Sequence, residues 1–129
     1  MSAALPLLLF VEDDLPFVRL VVQALADVYA LESVTSLRQA LTRLREARYY
    51  AGILLDVNLP DSRGLSTLLA VLRHARGIPL LVLTGEDSTV MEYAADYIIL
   101  AKPDINWTTF PAQVQAFLTA YAASRGQDD

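Results

Sequence analysis

The chain has 129 residues, enough for a single domain with a real hydrophobic core, and its 54% hydrophobic content excludes a disordered polymer. A formal charge of -5 argues against nucleic acid, whose phosphates demand a basic surface, and the absence of cysteine removes disulfides, thiolate nucleophiles and zinc–thiolate sites. No apolar run approaches the ~20 residues that span a bilayer, and AALPLLLFV near the N-terminus has neither a basic lead nor a cleavage-like site, so it reads as a strand. The expectation is a cytoplasmic protein with no nucleic-acid partner and no membrane partner.

The first strand is LLLFV, residues 7 to 11, followed by the acidic turn EDD. Asp14 suits an N-cap and Pro16 a first-turn position, opening a helix to about Val28. Arg19, Gln23 and Asp27 make its polar line, and Phe17, Val18, Leu20, Val21, Val22 and Leu25 predict a wide buried sector. Tyr29 to Val34 is a weaker second strand. Thr35 or Ser36 caps a second helix to about Arg48, with Leu37, Ala40, Leu41 and Leu44 as its buried stripe. Its arginines, Arg38, Arg43, Arg45 and Arg48, read as a solvated face.

Ala51 to Leu55 is the third strand, and DVNLPDSRG after it is a loop by composition. A third helix runs from about Leu65 to Ala75 and ends at Gly77. Pro79 opens the fourth strand, which leads to Thr84; the segment from there to Lys102 has room only for a short or irregular fourth helix ending near Ala95. Tyr97 to Ala101 is the fifth strand, stopped by Lys102-Pro103. After a loop to about Pro111, QVQAFLTAYAA forms the last helix, and the domain is expected over residues 1 to 124 with a polar tail over 125 to 129.

Apolar strands that alternate with helix-length segments imply an α/β fold with a parallel sheet covered on both faces. Five such units with right-handed crossovers give a doubly wound, flavodoxin-like sheet of order 2-1-3-4-5, whose switch point lies between strands 1 and 3. Ligands in such sheets bind at the carboxyl ends of the strands. Those ends carry Glu12 and Asp13, Asp56, Thr84 and Lys102. Three gathered carboxylates repel one another and call for a compensating cation, and an oxygen-only donor set suits Mg²⁺ or Mn²⁺. A carboxylate can also attack phosphorus to give an acyl phosphate, with a metal and an ammonium neutralising the phosphoryl oxygens.

The segments FVEDD, LLDVNLPDSRG, LVLTG and AKP, in that order and spacing, resemble the bacterial response-regulator receiver (CheY-like) family over essentially the whole chain. The resemblance implies a phosphoacceptor signalling domain of a two-component system and not an enzyme. It makes Asp56 the phosphoacceptor, Glu12 and Asp13 the acidic pair, the Asn58 backbone carbonyl a further metal ligand, Thr84 the switch hydroxyl and Lys102 the phosphate's charge partner. Pro60 and Gly64 fit the family's loop after the phosphoacceptor. The implied partners are a histidine kinase or phosphotransfer protein as donor and a downstream protein that reads the face of the fourth helix, fifth strand and last helix. Receivers often dimerise through that face, but it is unusual here, so the resemblance leaves a homodimer open and does not fix the oligomeric state.

Three departures fall on that face: Ile99 stands where receivers carry an aromatic, with Tyr97 two residues earlier as a substitute; the stretch from Thr84 to Lys102 is short; and DINWTTFP follows the lysine. Trp107 and Phe110 are expected to cover the core. Asn58 and Glu86 occupy the positions that govern water access in the family, and both are polar, which predicts ready hydrolysis of the phosphoryl group. The alternative is a pseudo-receiver acting as a constitutive interaction module. A phosphatase with an aspartyl nucleophile would carry an acid two residues after Asp56, where Asn58 stands, and a flavodoxin-like cofactor site would need glycines where the first turn has acids.

Overall fold

The computed structural model describes residues 4 to 46, 49 to 85 and 98 to 127. The main sheet has five parallel strands, β1 (Leu7–Val11), β2 (Ala30–Val34), β3 (Gly52–Asp56), β6 (Leu80–Thr84) and β7 (Ile98–Ala101). Their order is β2-β1-β3-β6-β7, which in chain order of these five is the flavodoxin-like 2-1-3-4-5. Two short strands, β4 (Asn58–Leu59) and β5 (Ser62–Arg63), pair antiparallel inside the stretch expected to be a plain loop. The helices are α1 (Leu15–Leu25), α2 (Leu37–Arg45), α3 (Leu65–Ala75) and α4 (Phe110–Gln127).

Strand alternation explains why the strands are apolar throughout. Leu9, Val11, Ile53, Leu55, Leu80 and Val82 point to the face that meets Ala40 of α2 and Leu68 and Val71 of α3. Leu8, Phe10, Leu54, Leu81 and Leu83 point the other way, onto Phe17, Val21 and Leu25 of α1 and Phe110, Val114 and Phe117 of α4. Each fully buried side chain of this size contributes roughly 1.5–3 kcal/mol. The two helical layers therefore clamp the sheet from both sides and fix which residues reach its edge.

Local chemistry sets the element ends. Asp14 caps α1 by accepting from the Phe17 amide at 3.4 Å, with Pro16 in the first turn. Ser36, not Thr35, caps α2 through the Gln39 amide at 3.1 Å. Arg76 closes α3 with φ 50, followed by Gly77 at φ 85. Gly64 sits at φ 64, ψ -135, a backbone region open to glycine alone, and its N–H donates to the Val57 carbonyl at 2.8 Å. That bond folds the chain after Asp56 back on itself.

The buried sector of α1 is narrower than its composition suggests. Phe17, Val21 and Leu25, spaced by four, are buried, whereas Leu20 and Val22 are 47% and 39% exposed. One side of a helix this short meets the sheet, and the flanking apolar residues stay outside. α1 also stops at Leu25, short of Val28, and the last helix starts at Phe110, before the expected QVQ. The Asn106 carbonyl accepts from the Thr109 and Phe110 amides at 3.1 and 2.9 Å, which starts the turn before Pro111. α4 then continues to Gln127, through part of the stretch assigned to the polar tail. The expected short fourth helix lies outside the described residues. Among the described residues no helix is long and apolar enough to cross a membrane.

Candidate functional site

β1 and β3 are neighbours in register, with Val11 beside Leu55, so the residues after them emerge side by side. Glu12, Asp13 and Asp56 each place a carboxylate oxygen within 4.8 Å of the others. Glu12 is fully buried, Asp56 is 4% exposed, and Asp13 faces solvent. The amides of Asp13 and Asp14 donate to Glu12 Oε2 at 3.1 and 3.2 Å, which aims its other oxygen into the site. The Asn58 amide donates to Asp56 Oδ1 at 3.0 Å, and the Asn58 side-chain oxygen accepts from Gly64 N at 3.2 Å. Glu12 and Asp56 are thus held by their own turns, and Asp13 is the exposed member of the cluster.

Lys102, one residue beyond β7, crosses to this cluster. Its Nζ is 2.5 Å from Glu12 Oε1 and 3.2 Å from Asp56 Oδ2. Burial pushes the ammonium's pKa down, but Glu12 and Asp56 outweigh it, and the net shift is upward. Glu12 moves to about 7: burial is the main cause, Asp56 beside it adds to the shift, and Lys102 opposes it. An ammonium that bridges two buried acids is the charge compensation an otherwise repulsive cluster needs. Thr84 lies at the end of β6, one position past Leu83, the register partner of Asp56. It is fully buried, and its hydroxyl oxygen has no hydrogen-bond partner among the described residues.

Residues 8–103 match the response regulator receiver domain. The chain belongs to that family. This receiver is 34% identical over 99 residues to the transcriptional regulatory protein BasR of Escherichia coli K12, a match covering 71% of this chain and 44% of BasR. The chain thus spans less than half the length of that relative. Among solved structures it resembles the CheY-like receiver domain protein of Methanospirillum hungatei with a TM-score of 0.79 at 21% identity, over 94% of this chain and 99% of the other. The chemotaxis protein CheY4 of Vibrio cholerae matches with a TM-score of 0.71 at 27% identity, over 88% and 99%. A response-regulator receiver of a two-component system, with its acidic cluster of the kind at which receiver domains bind Mg²⁺, is therefore the class of this protein.

The receiver's fold gathers Glu12, Asp13, Asp56 and Lys102 at one edge and sets Thr84 on the adjacent strand end. Asn58 sits beside them through its amide bond to Asp56. Glu86 and Tyr97 lie outside the described residues. Ile99 is half-buried and packs on the α2/α3 side of the sheet. Two participants were not singled out from the sequence. Phe17, read only as core, lies under the lysine, 4.7 Å from Nζ to the ring centroid. Asp61, read only as loop, accepts from the Leu37 and Arg38 amides at 2.8 and 3.0 Å and so caps α2 from the hairpin after Asp56. Those two amide bonds lead the causes that hold its carboxyl below the usual range. No local pattern reveals that bond, because its partners are distant in sequence.

Proposed function

We propose that this receiver accepts a phosphoryl group on Asp56 from a phosphohistidine of a histidine kinase or phosphotransfer protein, and that the modification switches a surface read by a downstream protein. One observation supports this above the others: three carboxylates from two adjacent strand ends lie within 4.8 Å of one another, with a lysine amine on two of them. The donor set fits Mg²⁺ or Mn²⁺, since it is all oxygen and offers few protein ligands. Glu12, Asp13, Asp56 and the Asn58 carbonyl would hold the ion, which supplies charge neutralisation for phosphoryl oxygens when bound.

An Asp56 oxygen attacks phosphorus, and the new P–O bond forms as the P–N bond to the donor breaks; the P–N electron pair stays on the ring, which leaves as neutral imidazole keeping the proton its other nitrogen already carries. Lys102 is already 3.2 Å from Asp56 and takes up charge on the transferred group. The unpartnered Thr84 hydroxyl, buried at the end of β6, is a donor free to turn toward a phosphoryl oxygen. On this reading the protein is a cytoplasmic signalling phosphoacceptor and not an enzyme, and its output is a protein contact and not nucleic acid, in keeping with the charge of -5.

Incubation with phosphoramidate and Mg²⁺ should add one phosphoryl mass, and Asp56→Asn should abolish the gain. No gain at all, with the chain folded, would leave the pseudo-receiver reading: a constitutive interaction module.

A further inference from the structure

Lys102 rests on a ring as well as on two acids. Its Nζ is 4.7 Å from the Phe17 centroid, while the Lys102 side chain is only 22% exposed. Phe17 is itself braced: Phe10 meets it edge-on at 6.3 Å and 63°, and Trp107 meets it at 5.8 Å and 59°. Trp107 then meets Phe110 edge-on at 5.4 Å and 66°. Phe110 is fully buried and is the first residue of α4. An unbroken aromatic run therefore joins the site's ammonium to the first turn of the last helix. β7 itself, IILA, contains no aromatic residue.

An aliphatic side chain at position 17 would fill the same space, yet only an aromatic face attracts a cation. Lysine carries a point charge on a flexible four-carbon stem, so ion pairs to Glu12 and Asp56 set its distance to them more than its direction. The Phe17 ring of α1 adds a face that helps fix that direction. Trp107 is half-buried and packs against the Phe17 ring, so it senses where the ring sits.

We propose that Phe17, held by Trp107, is a positioning residue that keeps the Lys102 ammonium aimed at Asp56, and that the run Phe17–Trp107–Phe110 carries the ammonium's position to the start of α4. This rests on phosphorylation of Asp56. A phosphoryl group there adds acceptor oxygens beyond the carboxylate, so Nζ moves outward from Glu12, and the ring beneath it and the indole against that ring adjust.

Trp107 is the sole tryptophan, so its fluorescence reports the run directly. Wild type, Asp56→Asn, Phe17→Leu and Phe17→Tyr are titrated with beryllofluoride in the presence of Mg²⁺, and the rate of mass gain from phosphoramidate is measured on each. Wild type should change its emission and Asp56→Asn should not. Phe17→Leu should gain mass roughly three- to tenfold more slowly and lose the emission change, and Phe17→Tyr should restore both. Wild-type rate and emission change in folded Phe17→Leu would overturn the proposal and leave phosphorylation of Asp56 standing. Absence of mass gain in wild type would overturn both. Should Phe17→Leu not fold, Trp107→Phe and Trp107→Leu serve at the half-buried site: slowing by leucine alone supports the run, and equal rates refute it.

Discussion

Thr84→Val replaces a hydroxyl by a methyl group of nearly the same shape. In the unmodified protein Thr84 is fully buried and its hydroxyl oxygen finds no hydrogen-bond partner among the described residues. Leaving a hydroxyl in that condition costs about 1–3 kcal/mol, and a buried methyl in its place contributes roughly 0.8 kcal/mol. Valine also suits an apolar strand such as β6, whose last residue is Thr84, because its branched side chain packs on a pleated surface. Part of the gain is lost to imperfect packing, so the variant should be more stable by about 1–2 kcal/mol, a Tm higher by roughly 4–8 °C for a domain of this size. Thermal and urea unfolding of the unmodified chain measure it. The same variant should still gain mass on Asp56 but show a weakened response of the surface, for example smaller NMR shifts with beryllofluoride away from the site. A Thr84→Val chain less stable than wild type by 1 kcal/mol or more would mean that the hydroxyl already has a partner, and the idea of a donor held in reserve would fall.

Lys102→Met removes the cation between Glu12 and Asp56, and removing one partner of a buried ion pair costs about 3–5 kcal/mol; urea unfolding should show a large loss that Mg²⁺ partly restores, and a loss under 1 kcal/mol would show that the pair is well hydrated. Glu12 has its pKa raised to about 7. Its proton therefore stabilises the metal-free fold fully below the unfolded value of 4.5, and that stabilisation fades as the pH rises through about 7. The proton also competes with the metal: apparent Mg²⁺ affinity should fall by up to about tenfold per pH unit below 7, and calorimetry showing flat affinity from pH 8 to 5 would contradict it. Asp61→Ala removes the acceptor at the start of α2 and should cost about 1 kcal/mol. Because the Asp61 carboxyl is held below its ordinary value of 3.8, its stabilising effect is present above that pH and is lost as acid protonates the folded form. Wild type and variant should converge in Tm at low pH; a constant gap would rule out the charge-assisted cap.

Much of the fold could be read from local pattern. Runs such as LLLFV and GILL are apolar at every position because both faces of the sheet are covered, and Leu8 and Leu9 indeed serve opposite layers. Once the strands are parallel, their carboxyl ends share an edge, so the convergence of Glu12, Asp13, Asp56 and Lys102 followed from their places in the chain. The exposure of Leu20 and Val22 could not be read so, since hydrophobicity does not say how wide a strip of a helix the sheet will cover.

The amino-acid sequence by itself determined the strand order, the edge at which the site would form and the residue types that reach it, because periodicity and handedness act through neighbours along the chain. Tertiary structure alone decided that Lys102 divides itself between Glu12 and Asp56, that it lies over Phe17, that Asp61 caps a helix from another element, and that the Thr84 hydroxyl is left without a partner. Each of these depends on distances of a few ångströms between segments far apart in the chain. Such distances are set by how the layers pack, and no local pattern encodes them.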